Sequence, residues 1–475
     1  MEVPMTDQQP RGGAALALIL VLLALLVMFL QGCTVGPDYK RPDVDLPEKY
    51  GVVQSTQAAG QDWWKVFNDP LLDRLEEEAL GHNRDLRAAA ERIEQARAQV
   101  RITGADQLPS VGVEATRSRT RSSAVGPLPL PPDFIETTDN RLVARLSWEL
   151  DFWGKYRRAT EAARANLVAT EAGREAVRLS LVSDVAHGYF TLLALDRRLA
   201  IVEQTRDAWA QSLDLEKKRL DAGAVSELDY HQIESQLRGT EALIPPLRLA
   251  RTRQEGALAL LLGRAPREVY AANVERNDVG APAKVEVPAG LPSDLLLRRP
   301  DLVQAEAQLH AANAGIGVAR AAYFPSISLT GYYGGESQAL ADLFKSPART
   351  WSLAGDVLQP LFAGGQIAGG VDLANARTRE AVELYQKSVA NAFREVRDAI
   401  AAQTDLRDAA NAQFARERSF VRTVDLTRLR YDNGAIDLFE LLATERLLLA
   451  ARLDAIDAER DRRNAIVDLY TALGS

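Results

Sequence analysis

The chain has 475 residues, and its 57 Lys and Arg are interleaved with 65 Asp and Glu to a formal charge of −8, so it offers no basic tract for nucleic acid. A single cysteine, Cys33, excludes a disulfide framework and a cysteine-ligated zinc site. Alanine, leucine, arginine, glutamate and glutamine dominate while aromatics make up 6%, a mixture that favours long helices over compact α/β domains.

At the start, Arg11 precedes an unbroken apolar run from Ala14 to Leu30, followed by Leu30-Gln31-Gly32-Cys33. A basic residue, an apolar stretch and small residues before the cut are the pattern of a secretory leader. The cysteine after the small residue is then expected to carry a lipid. The competing reading is an uncleaved transmembrane helix, since about 17 to 20 apolar residues suffice to cross a bilayer. Thr34 follows the cysteine, and no acidic residue stands there to retain a bacterial lipoprotein at the inner membrane. The outer membrane is the expected destination. The implied division is a signal peptide over 1–32, a lipidated N-terminal linker over 33–66, a first repeat over 67–263, a linker over 264–292 and a second repeat over 293–475.

The two repeats declare themselves by echoes. Asn83-Arg84-Asp85-Leu86 is answered by Arg299-Pro300-Asp301-Leu302, and Leu108-Pro109-Ser110 by Phe324-Pro325-Ser326. Asp221-Ala222-Gly223-Ala224-Val225 is answered by Asp432-Asn433-Gly434-Ala435-Ile436, and Leu261-Leu262-Gly263 by Ala472-Leu473-Gly474. The separation stays near 210 residues, so one unit is written twice in tandem.

Within the first unit the spacing predicts a helix from about Leu71 to Thr103, ended before Pro109, and a strand from Ser110 to Arg121. A proline-rich loop comes next, then a second strand in which Leu142, Ala144, Leu146, Trp148 and Leu150 face one way and Val143, Arg145, Ser147, Glu149 and Asp151 the other. Period-two alternation in segments of about ten residues is the mark of a membrane barrel strand, or otherwise of a hairpin over a soluble core. Ser326 to Gly334 and Trp351 to Leu361 repeat the hairpin in the second unit. Four strands cannot close a barrel, for which about eight is the minimum, and an open edge in lipid would leave backbone groups unpaired. Closure therefore demands an oligomer.

From Gly154 to Leu220 there is no proline, and Leu179, Val182, Ala186, Tyr189 and Leu193 step by threes and fours; Val389, Phe393, Val396 and Ile400 do the same in the second unit. Such a helix of 67 or so residues would be roughly 100 Å long. Shorter helices over Leu71 to Thr103 and Ser226 to Leu262 could stack alongside it, the second interrupted and kinked at Pro245-Pro246. The expected fold is mostly α with a transmembrane β-barrel, each unit supplying two strands and the wall of a helical tube.

Several segments then resemble a known family, the TolC-like outer-membrane factors of tripartite efflux pumps, in the OprM/NodT lipoprotein branch. They are Cys33-Thr34-Val35-Gly36-Pro37-Asp38-Tyr39-Lys40-Arg41-Pro42, Trp63-Trp64 through Phe67-Asn68-Asp69-Pro70-Leu71, Trp148-Glu149-Leu150-Asp151-Phe152-Trp153-Gly154-Lys155, Arg298-Arg299-Pro300-Asp301-Leu302 and Tyr323-Phe324-Pro325. The resemblance implies a homotrimer with a twelve-stranded outer-membrane barrel and a helical periplasmic tunnel. It also implies a periplasmic adaptor and an inner-membrane transporter as partners, outer-membrane lipid around the barrel, and a passive, gated exit duct for small toxic compounds. No cofactor beyond the covalent lipid on Cys33, and no metal, is expected.

A duct does no covalent chemistry, so its decisive residues belong where it opens. The long helices end at Gly223 and Gly434, which are expected to make the turns at the periplasmic tip. The family's gate positions, carried over to matching residues, are Asp229, Glu440 and Tyr431; Asp437 is a further acidic candidate and Arg430 a cationic partner. Ile436 stands where relatives carry a basic gate residue and Ala443 where some carry a second carboxylate, so the closing contacts are expected to differ. The alternative role for Asp229, Asp437 and Glu440 is to cap or solvate helix starts.

No enzyme constellation competes. His82, His187, His231 and His310 follow no catalytic or metal-ligand spacing, and Gly315-Ile316-Gly317 comes after a helical stretch and lacks the third glycine of a nucleotide loop. His231 beside Asp229 is a candidate pH-sensitive contact, set against an ordinary solvated helix residue. Two further readings stay open: a non-conducting scaffold lipoprotein spanning the periplasm, and the exit duct of type I protein secretion.

Overall fold

A computed structural model describes residues 34–45, 62–125, 131–271, 273–276 and 299–474. Cys33, the expected leader and the proline-rich loop at 126–130 lie outside the described residues. In chain order the main elements are α1 (Pro70–His82), α2 (Arg84–Ala105), β1 (Ser110–Arg121), β2 (Glu136–Glu149), α3 (Lys155–Asp221), α4 (Glu227–Leu261) and a short α5 (Pro266–Ala271). They are followed by α6 (Pro300–Ala321), β3 (Ser326–Ser337), β4 (Arg349–Leu358), α7 (Gln366–Asp432) and α8 (Leu438–Ala472). The duplication is metrical: α2 and α6 have 22 residues each, β1 and β3 have 12, α3 and α7 have 67, and α4 and α8 have 35.

Three local expectations change. The helix expected from Leu71 to Thr103 is two helices, because Asn83 leaves helical geometry at ψ 134° and its Oδ1 accepts from the amides of Asp85 and Leu86, capping α2. Pro245 and Pro246 do not interrupt α4, which is helical on both sides of them. The second strand begins at Glu136, and the fourth ends at Leu358, ahead of Pro360, which has no amide to pair.

The chain forms two compact units. Among the described residues, one comprises those within Ile93–Ala169 and Ala305–Tyr385 together with 34–42, and the other those within Asp43–Arg92, Thr170–Gln304 and Gln386–Ser475.

The first unit holds a four-stranded antiparallel sheet in the order β1-β2-β3-β4, so β1 and β4 are its edges. Register places Val111 opposite Leu146, Val113 opposite Ala144, Trp148 opposite Leu329, and Tyr333 opposite both Ala144 and Trp351. One face is therefore apolar across all four strands. Val111, Val113, Tyr333, Trp351, Leu353 and Val357 are exposed on it. The other face carries the ion pairs of Arg145 with Glu114 and Arg141 with Glu336. An exposed apolar face this continuous needs something to cover it. Gly335 is required by packing: a Cβ there would come within 2.3 Å of the Leu343 carbonyl oxygen in the β3–β4 loop.

Where β2 passes into α3, the Asp151 carboxylate accepts from the amides of Tyr156 (3.2 Å) and Arg157 (2.8 Å), supplying the start of α3 with acceptors for free donors. Gly154 makes the turn at φ 78°. Trp153 stacks on Phe324 and donates from Nε1 to the Pro325 carbonyl at 2.8 Å, joining the two halves of the duplication.

The second unit is built on a core of Trp63, Trp64, Leu72, Tyr189, Phe190, Leu258, Leu262, Val467 and their neighbours. Of the expected seam, Val182, Ala186, Tyr189 and Leu193 are buried, as are Val389 and Val396. The Tyr189 hydroxyl donates to Asp69 Oδ2 at 2.6 Å while Asp69 Oδ1 caps α1 through Leu71 N at 3.0 Å. Among the described residues, no helix is long and apolar enough to cross a membrane.

Candidate functional site

The two expected turns close in the same way. Gly223 (φ 73°) and Gly434 (φ 68°) take the left-handed conformation that lets a helix end within one residue. Ala224 N donates to the Arg219 carbonyl and Ala435 N to the Arg430 carbonyl, both at 2.8 Å, so carbonyls at the ends of α3 and α7 are satisfied identically.

Beyond each turn the next helix is capped. In the first repeat Ser226 Oγ accepts from Asp229 N at 3.2 Å, and Asp229 Oδ2 accepts from Ser226 N at 3.2 Å and from Ser226 Oγ at 2.7 Å, a reciprocal capping box. Asp437 holds the equivalent position in the second repeat, and its Oδ1 accepts from Glu440 N at 2.9 Å. Glu440 faces Arg430 instead, with Oε1 3.8 Å from Nη1. The same two positions are thus a closed box in one repeat and a cap plus a solvent-facing ion pair in the other. That asymmetry leaves Glu440 the more available carboxylate.

Behind the turns, Trp209, Ile233, Leu237, Leu438 and Leu442 form a small core with Tyr431 and Leu213 packed on it, tying the two repeats together. Burial, then the charge of Glu216, push the Tyr431 hydroxyl above its ordinary pKa, with Arg219 opposing and Asp229 adding to the rise. Tyr431, Asp229, Glu216 and Arg219 are therefore one electrostatic neighbourhood. The Glu216 side chain is 4% exposed, one oxygen lies 3.4 Å from Arg219, and the other has no partner. Sequence reading missed Glu216, Arg219 and Ser226. The Ser-x-x-Asp spacing at 226–229 carried a readable capping signal, whereas nothing in the pattern distinguished Glu216 from the solvated acids of α3. His231 pairs with Glu234 at 2.9 Å on the surface of its own helix. Ile436 and Ala443 have neither charge nor hydrogen-bonding side chain, so these two positions supply neither a basic group nor a second carboxylate near the turn.

The segment from Thr34 to Pro42 is laid along the first unit by specific contacts. A Cβ on Gly154 would stand 2.8 Å from Thr34 Cγ2, and one on Gly317 would stand 2.6 Å from the Val35 carbonyl oxygen. Val35 N donates to the Trp153 carbonyl at 3.0 Å. Arg158, buried, donates to Asp38 at 2.7 Å and Glu161 at 2.8 Å. Arg41 grips Glu306 with two bonds of 2.7 and 2.6 Å, and Tyr39 stacks on His310, whose Nε2 meets Glu161 at 3.0 Å. Burial pushes the Glu161 carboxyl up, but Arg158 and His310 outweigh it and hold it below the usual range. Among the described residues no group of three or more His, Cys, Asp or Glu is placed to hold a metal ion.

Comparison with known proteins matches residues 75–264 and 291–475 to the model of a family described as "Outer membrane efflux protein". The chain is similar to the cation efflux system protein CusC of Escherichia coli, at 35% identity covering 94% of this chain and 97% of that one. It is also similar to the solvent efflux pump outer membrane protein SrpC of Pseudomonas putida, at 34% identity over 96% and 97%. Among solved structures, the CmeC outer membrane channel of Campylobacter jejuni superposes with a TM-score of 0.89 at 28% identity, covering 93% of this chain and 95% of that one.

Proposed function

The chain belongs to the outer membrane efflux protein family of channels and is an outer-membrane exit duct of an efflux system, and we propose that it works as one third of a gated, lipid-anchored homotrimer. One observation carries closure by an oligomer, and the count of three follows from resemblance to the family: the four-stranded sheet has two unpaired edges, β1 and β4, and an apolar face exposed across all four strands. A sheet in lipid must close on itself. Three copies pairing β4 to β1 make a barrel of twelve strands.

The proposed division is the one read from the sequence, with a leader over 1–32, an anchored segment over 33–66, and repeats over 67–263 and 293–475 joined by 264–292. The track of Thr34 to Pro42 supports a lipid on Cys33. Thr34 packs on Gly154 at the junction of sheet and helix, which puts the residue next to Cys33 at the helix-side rim of the membrane band. The relatives named for efflux systems support a periplasmic adaptor and an inner-membrane transporter as partners. We assign export of small toxic compounds to this assembly, with compound choice residing in the transporter.

Asp229, Glu440 and Tyr431, with Arg430 and Asp437 beside them, form the proposed periplasmic gate, and Gly223 and Gly434 its turns. A threefold ring of Glu440 and Asp229 favours cations at the entrance, as charged rings do in channels. Recording single-channel currents of the purified protein in planar bilayers tests this. Low, cation-preferring conductance that rises in Glu440→Ala supports the gate; a correctly inserted trimer that never conducts overturns it in favour of a scaffold.

A further inference from the structure

We propose that the outward face of β1 beyond the apolar band is a docking surface for the phosphate-bearing headgroups of anionic lipids in the outer leaflet, held by Arg117, Arg119 and Arg121. This rests on the assignment of the apolar sheet face to lipid. On β2 that face is apolar from Leu142 to Leu150, nine residues or about 27 Å along the strand and about 21 Å once a barrel tilt near 40° is allowed for. That is about 4 Å short of a bilayer band of about 25 Å, and the next residue on the same face, about 5 Å further along the barrel axis, reaches its edge, where headgroups begin.

On β1 the outward positions Val111, Val113 and Ala115 pair with Leu146, Ala144 and Leu142, and the alternation continues to Arg117, Arg119 and Arg121 opposite Asn140, Thr138 and Glu136. The arginines begin one step past the last apolar pair and extend about 14 Å further along the strand. They lie toward the hairpin end of the sheet, away from α2 and α3, and so on the side facing the exterior. Arg119 and Arg121 share the single carboxylate of Glu136, at 2.9 and 3.3 Å, and both side chains remain about three-quarters exposed. Arg117 has no carboxylate partner among the described residues. Three cations against one anion, continuous with a lipid-facing surface, are complementary to an acyl chain capped by phosphate. Arg349 adds to this, since it precedes outward-facing Trp351 by two residues on β4, the opposite edge of the sheet. Closing β4 of one copy against β1 of the next brings the two edges together, so the trimer carries three such basic arcs. Guanidinium forks engage phosphate through paired hydrogen bonds, and they keep their charge at any physiological pH.

The test is lipid retention by the full-length trimer in detergent, followed by native mass spectrometry after mixing with lipid A, phosphatidylglycerol or phosphatidylethanolamine, and repeated with inorganic phosphate alone. One arginine near an anionic surface contributes about fivefold. Allowing for Glu136, the triple change Arg117→Gln, Arg119→Gln, Arg121→Gln is expected to lower lipid A retention at least tenfold while phosphatidylethanolamine is unaffected. The triple Lys variant is expected to keep most of it, and Arg141→Gln on the opposite face to change nothing. Equal lipid A retention in the Gln and native trimers overturns the proposal, as does binding of inorganic phosphate equal to that of lipid A. If the Gln variant fails to assemble, Arg117→Gln alone against Arg117→Lys decides the matter. Loss of phosphatidylethanolamine along with lipid A in every variant would instead count against the lipid-facing assignment itself.

Discussion

Asp229 has two candidate duties, as a capping carboxylate and as a gate charge, and the structure allows them to be separated. Ser226→Ala removes the hydroxyl that accepts from Asp229 N at 3.2 Å and donates to Asp229 Oδ2 at 2.7 Å, leaving the carboxylate in place. Losing such a cap costs about 1 kcal/mol. Asp229→Asn does the reverse: the amide oxygen still accepts from Ser226, but the charge goes, along with about 0.3–1 kcal/mol of interaction with the helix dipole. Both variants are thus comparably mild for stability and opposite for charge. Ser226→Ala is expected to speed amide exchange in the first turn of α4 about fivefold, the equivalent of 1 kcal/mol, with ion selectivity unchanged. Asp229→Asn is expected to speed exchange by about twofold to fivefold and, unlike Ser226→Ala, to reduce cation preference, measured by reversal potential in a salt gradient, because three charges leave the proposed ring. A loss of cation preference in Ser226→Ala as large as in Asp229→Asn would refute the reasoning, showing that helix geometry and not the carboxylate governs the entrance.

Two further changes probe the scaffold. Gly263 and Gly223 share a left-handed φ of 71° and 73°, but a Cβ at Gly263 would fall 2.2 Å from the His82 carbonyl oxygen, whereas at Gly223 it meets nothing within 4 Å. Gly223→Ala is expected to cost only about 1–2 kcal/mol of conformational strain, and Gly263→Ala at least twice that, read as loss of trimer on heating; equal losses would show that His82 moves aside. Glu76 is fully buried with neither carboxyl oxygen partnered, and burial, then the charge of Asp73, hold it well above its ordinary pKa. A folded acid with a raised pKa keeps a proton the unfolded chain has released, so stability falls as pH rises from about 4.3 toward the raised value, by at most about 1.4 kcal/mol per pH unit. Glu76→Gln removes that dependence, so its advantage over the native chain in thermal unfolding is expected to grow between pH 5 and 8; an advantage constant with pH would mean Glu76 is charged when folded.

The long elements were legible because their signals are cooperative over many residues. Sixty-seven positions without proline and with seam residues at helical spacing leave little alternative, and the alternation around Leu142 to Trp148 can face lipid in only one register. The break at Asn83 was hidden because the apolar period continues across it, so a single side chain that accepts two amides decides the geometry against an unchanged background. Glu216 was hidden for the opposite reason. Nothing local marks it, and its charge acts on Tyr431 of the second repeat, a neighbour only the fold supplies.

The proposed gate is where the two kinds of information part company. Duplication made Asp229 and Glu440 equivalent in sequence, and the turn glycines and caps are indeed equivalent in structure. Yet the first repeat has Ser at the cap and draws its acid inward, while the second has Asp there and leaves Glu440 facing Arg430, more than half exposed. An exposed pair 3.8 Å apart contributes about 0–1 kcal/mol, so it can be broken at little cost, whereas the closed box is local to its own helix and need not open at all. In the proposed gate the two repeats therefore divide the labour: the first supplies a fixed turn, and the second supplies the contact able to yield on opening.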